Sequence, residues 1–122
     1  MAKKLGLPIA HFVASTNAND TVPRFLEKGN YDPKPSIATI SNAMDVGAPS
    51  NFTRLLALYD NDYTALTADV SGFYLNDDED RMVMKDIYDL YGYVADPHGA
   101  IGYAAIKHFQ KLNPDHFGVY LE

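Results

Sequence analysis

The sequence predicts an α/β fold, with a mainly parallel sheet and flanking helices. Two observations carry that expectation. Short β-rich apolar runs alternate with segments in which apolar residues recur at helical spacing. The first run, Ile9 to Ser15 (IAHFVAS), is apolar on nearly every position, as in a strand buried on both faces of a parallel sheet.

The elements follow in order. Pro8 and Thr16-Asn17 bound the first strand. Asn19-Asp20-Thr21 can cap a helix in which Pro23 suits the first turn, Val22, Phe25 and Leu26 share a face, and Gly29 marks the stop. Two prolines make Asn30 to Pro35 a loop, and Ser36 to Ile40 reads as a short strand. A second helix starts from Ser50 as N-cap, with Phe52, Leu55, Leu56 and Tyr59 on its buried side. Residues 60–72 give no clear pattern, and Phe73 to Leu75 reads as a strand edge. Asn76 or Asp77 caps a third helix with Val83, Ile87, Leu90 and Tyr91 on one side and Gly92 closing it. Tyr93-Val94 reads as extended. Asp96-Pro97 opens a fourth helix, with Asp at N-cap and Pro at N1, and with Ile101, Ala105, Phe109 and Leu112 as its stripe. Asn113-Pro114 ends it, and Phe117 to Leu121 reads as a final strand.

A length of 122 residues with 47% hydrophobic and 21% charged residues suits a single folded segment. A net charge of -6 disfavours nucleic acid and anionic membranes as partners, since both select clustered Lys and Arg. No apolar run approaches the ~18 residues needed to span a bilayer. MAKKLGLP has no apolar segment behind its lysines, so it does not read as a signal peptide. Cysteine is absent, which excludes disulfides, thiolate metal sites and a thiol nucleophile. A cytoplasmic setting fits.

Three clusters are candidate binding sites. In SNAMDVGAPSNFTR, Ser41 to Arg54, small polar groups precede a helix. They are either a capped turn with a surface Arg54, or a helix start where N–H groups, Ser50 and the guanidinium hold a phosphate or carboxylate. Asn17, Asn19, Asp20 and Arg24 follow directly on a strand, where α/β proteins place sites. A helix cap with a solvated Arg24 is the other reading. His98 falls in a first helical turn, where the dipole favours a neutral imidazole. It either donates in a site or closes a turn. Gly99 and Gly102 nearby each cost about 1 kcal/mol of helix stability against Ala, which calls for a close neighbour. Asp77 to Asp80 need no metal, because acids favour a helix N-terminus and the spacing of a calcium loop is missing. His11, His108 and His116 lack zinc spacing, so no metal is expected.

Two motifs add more than spacing. N-x-N-D-x-V-P-R-F, at Asn17 to Phe25, and S-N-A-M-D-V-x-x-P-S-N, at Ser41 to Asn51, make the run from Ser15 to Arg54 strongly resemble threonine synthase of the bacterial and fungal type. YGYVADPHGAIGYAAI, Tyr91 to Ile106, and LNPDHFGVYLE also look like that family, with Asp60 to Asn76 the loosest part. The resemblance implies a C-terminal-half segment, 1–122, of the pyridoxal-phosphate-binding domain of a fold-type-II (tryptophan-synthase-β-like) lyase. Such enzymes convert O-phosphohomoserine and water to threonine and phosphate. It implies Asn42, Asp45, Ser50, Asn51 and Arg54 on the substrate side of the cleft, and Asn19, Asp20, Arg24 and His98 stand beside them as substrate-binding candidates from their positions in the chain. It also implies that the Schiff-base lysine, the loop for the cofactor phosphate and the threonine facing the pyridine nitrogen belong to flanking polypeptide. The segment is then expected to be inactive alone, to bind no pyridoxal phosphate and to favour self-association through exposed apolar surface. Another fold-type-II enzyme, an inactive paralogue, or a stand-alone α/β binding module are the alternatives.

Overall fold

A computed structural model describes residues 2–121. Two strands, β1 (Phe12–Thr16) and β2 (Val70–Tyr74), pair in parallel with Phe12 opposite Val70 and Thr16 opposite Tyr74. Between them run α1 (Thr21–Lys28), a 3-10 turn at Asn42–Met44, α2 (Phe52–Leu58) and α3 (Tyr63–Asp69). α4 (Asp77–Tyr91) and α5 (Pro97–Leu112) follow β2.

Strand alternation sorts the helices into two layers. Phe12, Ala14 and Val70 point into a core with Phe25, Leu26, Phe52 and Leu66, and so face α1, α2 and α3. Val13, Ser71 and Phe73 point to the other face and line a cavity with Ala105, His108 and Phe109 of α5. Gly72 is where α1 crosses β2, since a β-carbon there would stand 2.5 Å from Pro23 Cα. Phe25 anchors the first core by edge-on contacts with Phe52 and Tyr63, at centroid distances of 4.8 and 5.6 Å. A smaller core joins Ile87, Ala95 and Ala100, where α4 packs on α5.

The caps explain the helix bounds. Asn76 accepts the Asp78 and Glu79 N–H groups while Glu79 reaches back to the Asn76 N–H, a full capping box. Asp96 caps α5 with Pro97 behind it, and Gly29 and Gly92 close α1 and α4 at φ 73° and 66°.

Several expectations change. Strand β1 lies at Phe12–Thr16, later than Ile9 to Ser15, and β2 at Val70–Tyr74, earlier than Phe73 to Leu75. The unassigned stretch holds a whole helix. Asp60 and Asn61 turn the chain at φ 53° and 61°, and the Asp62 carboxylate then caps α3 by accepting the Ala65 N–H. Ser50 does not cap α2; Asn51 is the N-cap residue, without a side-chain cap bond, and the helix has only seven residues. Ser36 to Ile40, Tyr93-Val94 and Phe117 to Leu121 have no ladder partner and are irregular. Leu90 and Tyr91 are exposed, because the buried side of α4 is set by Asp80, Val83, Met84 and Ile87, and Leu112, the last residue of α5, is exposed beyond that helix's buried stretch of Gly99 to Ala105. The stretch after α5 folds back along that helix, with Tyr120 against Gly102 and Gly118 against Ile106. That contact supplies the close neighbour that Gly102 calls for.

Candidate functional site

Both strands run the same way, so their carboxyl ends, Thr16 and Tyr74, lie side by side. The chain leaving β1 enters Asn17 and Asn19, and the segment 36–47 folds over them. Asn17 is 1% exposed and Ser41 is fully buried. Asn17 Nδ2 lies 2.8 Å from Thr39 Oγ1, 2.9 Å from Asp45 Oδ1 and 3.2 Å from the Ser41 carbonyl oxygen. Its Oδ1 accepts from both the Asn19 backbone and side-chain amides. Asn19 clasps Ile37 by accepting its N–H and donating to its C=O, at 2.9 and 3.0 Å. Asp45 accepts from the Thr39 N–H and hydroxyl. The Thr39 hydroxyl bond, aided by its amide and by Asn17, holds the Asp45 carboxyl below its ordinary range. Asn19 and Asp45 are therefore spent on shaping the loop.

Asp20 and Arg24 form a second tie. Arg24 Nε donates to Asp20 Oδ1 at 2.7 Å, and its Nη atoms reach the Asp32 carboxylate and carbonyl oxygen. The bond to Asp20 raises the guanidinium's pKa. Arg24 thus pins the proline-containing loop to α1 and is half-buried, so of its two readings the freely solvated one is set aside. The Asp20 side chain is taken by Arg24 and makes no cap bond. Thr21 donates to the Gly47 carbonyl oxygen at 2.7 Å, joining the start of α1 to the segment leading into α2.

The first turns of α4 and α5 hold the same loop from the other side. Asp77 Oδ1 accepts the Ile40 N–H at 3.2 Å, and His98 Nε2 accepts the Ala43 N–H at 3.1 Å. A ring nitrogen that accepts carries no proton, so His98 is neutral with its proton on Nδ1, 2.6 Å from Asp96 Oδ1. Asp96 also accepts the His98 backbone N–H. Both His98 nitrogens are occupied within the chain.

Asn42 is left as the exposed apex of the loop. Ser50, Asn51 and Arg54 are exposed at the start of α2. Arg54 makes no ion pair among the described residues. The site residues thus divide into an internally bonded frame, with Asn17 and Asn19 buried and Asp20, Arg24, Asp45 and His98 half-buried, and an exposed set of Asn42, Ser50, Asn51 and Arg54.

Two members escape a reading of residue types. Thr39 falls within the expected strand Ser36 to Ile40, yet its hydroxyl stands between Asn17 and Asp45. Asp80 is 1% exposed and neither carboxylate oxygen has a hydrogen-bond partner. Burial, then the Asp77 charge, push its pKa up to about 6. Its spacing to Val83, Met84 and Ile87 puts it on the apolar stripe of α4, which was the available signal. Among the described residues no group of three or more His, Asp or Glu could hold a metal ion, and no helix is long and apolar enough to cross a membrane.

No family profile matches the chain. Individual proteins do. The chain is 47% identical over 121 residues to threonine synthase of Haemophilus influenzae, covering 99% of this chain and 28% of that protein. The crystal structure of Escherichia coli threonine synthase superposes with a TM-score of 0.85 at 40% identity, over 96% of this chain and 26% of that one. A pyridoxal-phosphate-bound threonine synthase from Brucella melitensis superposes with a TM-score of 0.80 at 27% identity, over 96% and 29%. The chain spans little more than a quarter of the length of these relatives.

Proposed function

We propose that this chain, matched along almost its whole extent to a segment of threonine synthase, forms the substrate-side wall of such an enzyme. The assembled enzyme acts on O-phosphohomoserine in the cytoplasm, releasing phosphate and forming threonine. The observation that carries this reading is the agreement of sequence and fold over one continuous segment, with the polar loop at the carboxyl ends of the parallel strands. Ligands in open α/β sheets bind at that edge.

Asn42 and Arg54 are the groups that meet the substrate. Arg54 is an exposed cation with no ion pair among the described residues, suited to a phosphate or carboxylate. Asn42 offers an amide from the loop apex. Asn19, Asp20, Asp45 and Arg24 serve the site by holding the loop in place, a narrower role than direct binding. Ser50 and Asn51 line the approach to Arg54.

Pyridoxal phosphate, when bound, supplies the electron sink for such a reaction. The residues present do not fit its anchoring. Lys3 is paired with Asp69, Lys85 with Asp89, and Lys107 lies over the Tyr103 ring. Lys4, Lys28, Lys34 and Lys111 are exposed, and none of the seven joins the loop network. This segment's part is to shape and charge the pocket, and alone it is catalytically silent. Exposed Phe117, Val119 and Leu121 favour self-association of the isolated chain.

The test is a chimera in which this chain replaces the matching segment of the Haemophilus influenzae enzyme. Phosphate release from O-phosphohomoserine near the parental rate supports the reading. A folded chimera that binds pyridoxal phosphate yet releases none overturns it.

A further inference from the structure

We infer that His98 is a positioning residue, a neutral-imidazole latch that fixes the Ser41–Asp45 loop and so presents Asn42. The substrate side of the inference rests on the reading above; the latch itself rests on geometry alone.

The loop has few bonds of its own. Its 3-10 turn is closed by the Ser41 carbonyl accepting the Met44 N–H and the Asn42 carbonyl accepting the Asp45 N–H. The backbone donors on either side of Asn42 are instead taken by two helix starts, Ile40 by Asp77 and Ala43 by His98. Ser41 between them is fully buried, with its carbonyl oxygen on Asn17. Asn42 is therefore located by β1, α4 and α5 together, and His98 is the member contributed by α5.

The latch works in one protonation state. The Ala43 N–H can meet Nε2 only while Nε2 bears a lone pair. Asp96 selects that state by taking the Nδ1 proton, and it orients the ring through its second bond to the His98 backbone. Adding a proton places two N–H donors head-on across 3.1 Å, and the contact opens. The charged groups acting on His98 come from each packed element: Asp96 on α5, Asp80 on α4 and Asp45 on the loop itself. All three are acids, and Asp80 also faces the Arg81 cation, which favours its ionised form. Acidification thus releases Ala43 while the network around Asn17 still holds Asp45. Substrate contact by His98 is not needed for the residue to matter, since both of its nitrogens are already engaged.

The experiment is ¹⁵N NMR on the 122-residue chain, titrated between about pH 5 and 8, the range in which imidazoles change charge. The Ala43 amide and the His98 ring protons should titrate with one midpoint. His98→Ala should speed Ala43 amide exchange about tenfold, near the equilibrium worth of one hydrogen bond, and leave the later amides of α5 unchanged. His98→Gln, whose amide oxygen can still accept, should restore protection and abolish the pH dependence. An Ala43 amide that ignores the ring titration, or that exchanges at the wild-type rate in His98→Ala, overturns the latch. The titration of unaltered protein decides the matter even if His98→Ala fails to fold. A silent chimera with an intact latch defeats only the enzymatic reading, and an active chimera without this coupling defeats only the latch.

Discussion

At Gly47 a β-carbon would stand 1.9 Å from the Lys34 carbonyl oxygen and 2.9 Å from the Ser36 amide. Backbone packs on backbone here, so neither partner can rotate away. Gly47→Ala should therefore destabilise the chain by about 2 kcal/mol or more, which outweighs the entropic gain of about 0.4–1 kcal/mol from losing a glycine. Urea unfolding measures it, and a neutral result would mean that the 34–36 loop is free to move. Asn17→Ala should cost about 2–3 kcal/mol, because it strands several buried partners at once. The two arginines separate by the same logic. Arg54→Ala should leave stability within about 0.5 kcal/mol and lower phosphate release in the chimera by about tenfold or more. Arg24→Ala should instead loosen the 30–35 loop, seen as faster amide exchange there. The sequence pointed to the neighbourhood of all these residues. It could not say which were spent, because Asn, Asp and Arg look alike whether they bind a ligand or a loop. Only the partner, often some twenty residues away, distinguishes them.

Among the elements, α4 shows where residue types mislead. Asp77 to Asp80 form an acidic first turn, and a shared helix-end role accounts for three of them: Asp77 holds Ile40, Asp78 faces Arg81 and Glu79 completes the capping box. Asp80 belongs to the other side of the helix and is buried without a partner. Its folded pKa of about 6 lies above that of an unfolded Asp, so the folded state binds more protons between about pH 4 and 6. Stability from this group is greatest below that window and is lost as pH rises through it, by about 2–3 kcal/mol. The variant Asp80→Asn lacks this titration. Its stability relative to the wild type should improve by that amount between about pH 4 and 8, followed by urea unfolding across the range. A constant difference would show that Asp80 stays ionised. The long helices α4 and α5 were legible because cap, periodicity and stop agree. The seven-residue α3 was not, since Asp60-Asn61-Asp62 carries both a turn and a cap in three polar letters. The expected strands at Ser36 and Phe117 failed for a different reason. Strand formation depends on a neighbour, and local β-preference cannot supply one.

On the scale of the whole molecule, the two faces of the sheet are covered unequally. The α1 side has an aromatic core, whereas the α5 side leaves a cavity of about 200 Å³ bordered by His11, Ser71 and Phe109. His11 stacks on Phe109 and shares a hydrogen bond with Ser71, and burial lowers its pKa. Beyond α5, Phe117, Val119 and Leu121 are exposed. Light scattering of the isolated chain should show mass rising with concentration, and serine at those three positions should shift it toward the monomer. Unchanged association would place the contact elsewhere. The α/β class itself was readable from alternating periodicities, and the parallel pairing follows from the helices between the strands. That pairing joins β1 and β2 from opposite halves of the chain. During synthesis, then, the first strand emerges from the ribosome long before its mate. Until Tyr74 has been translated and released, the apolar side of α1 has no finished surface to settle on, and this segment should be a client of chaperones that shield nascent hydrophobic stretches.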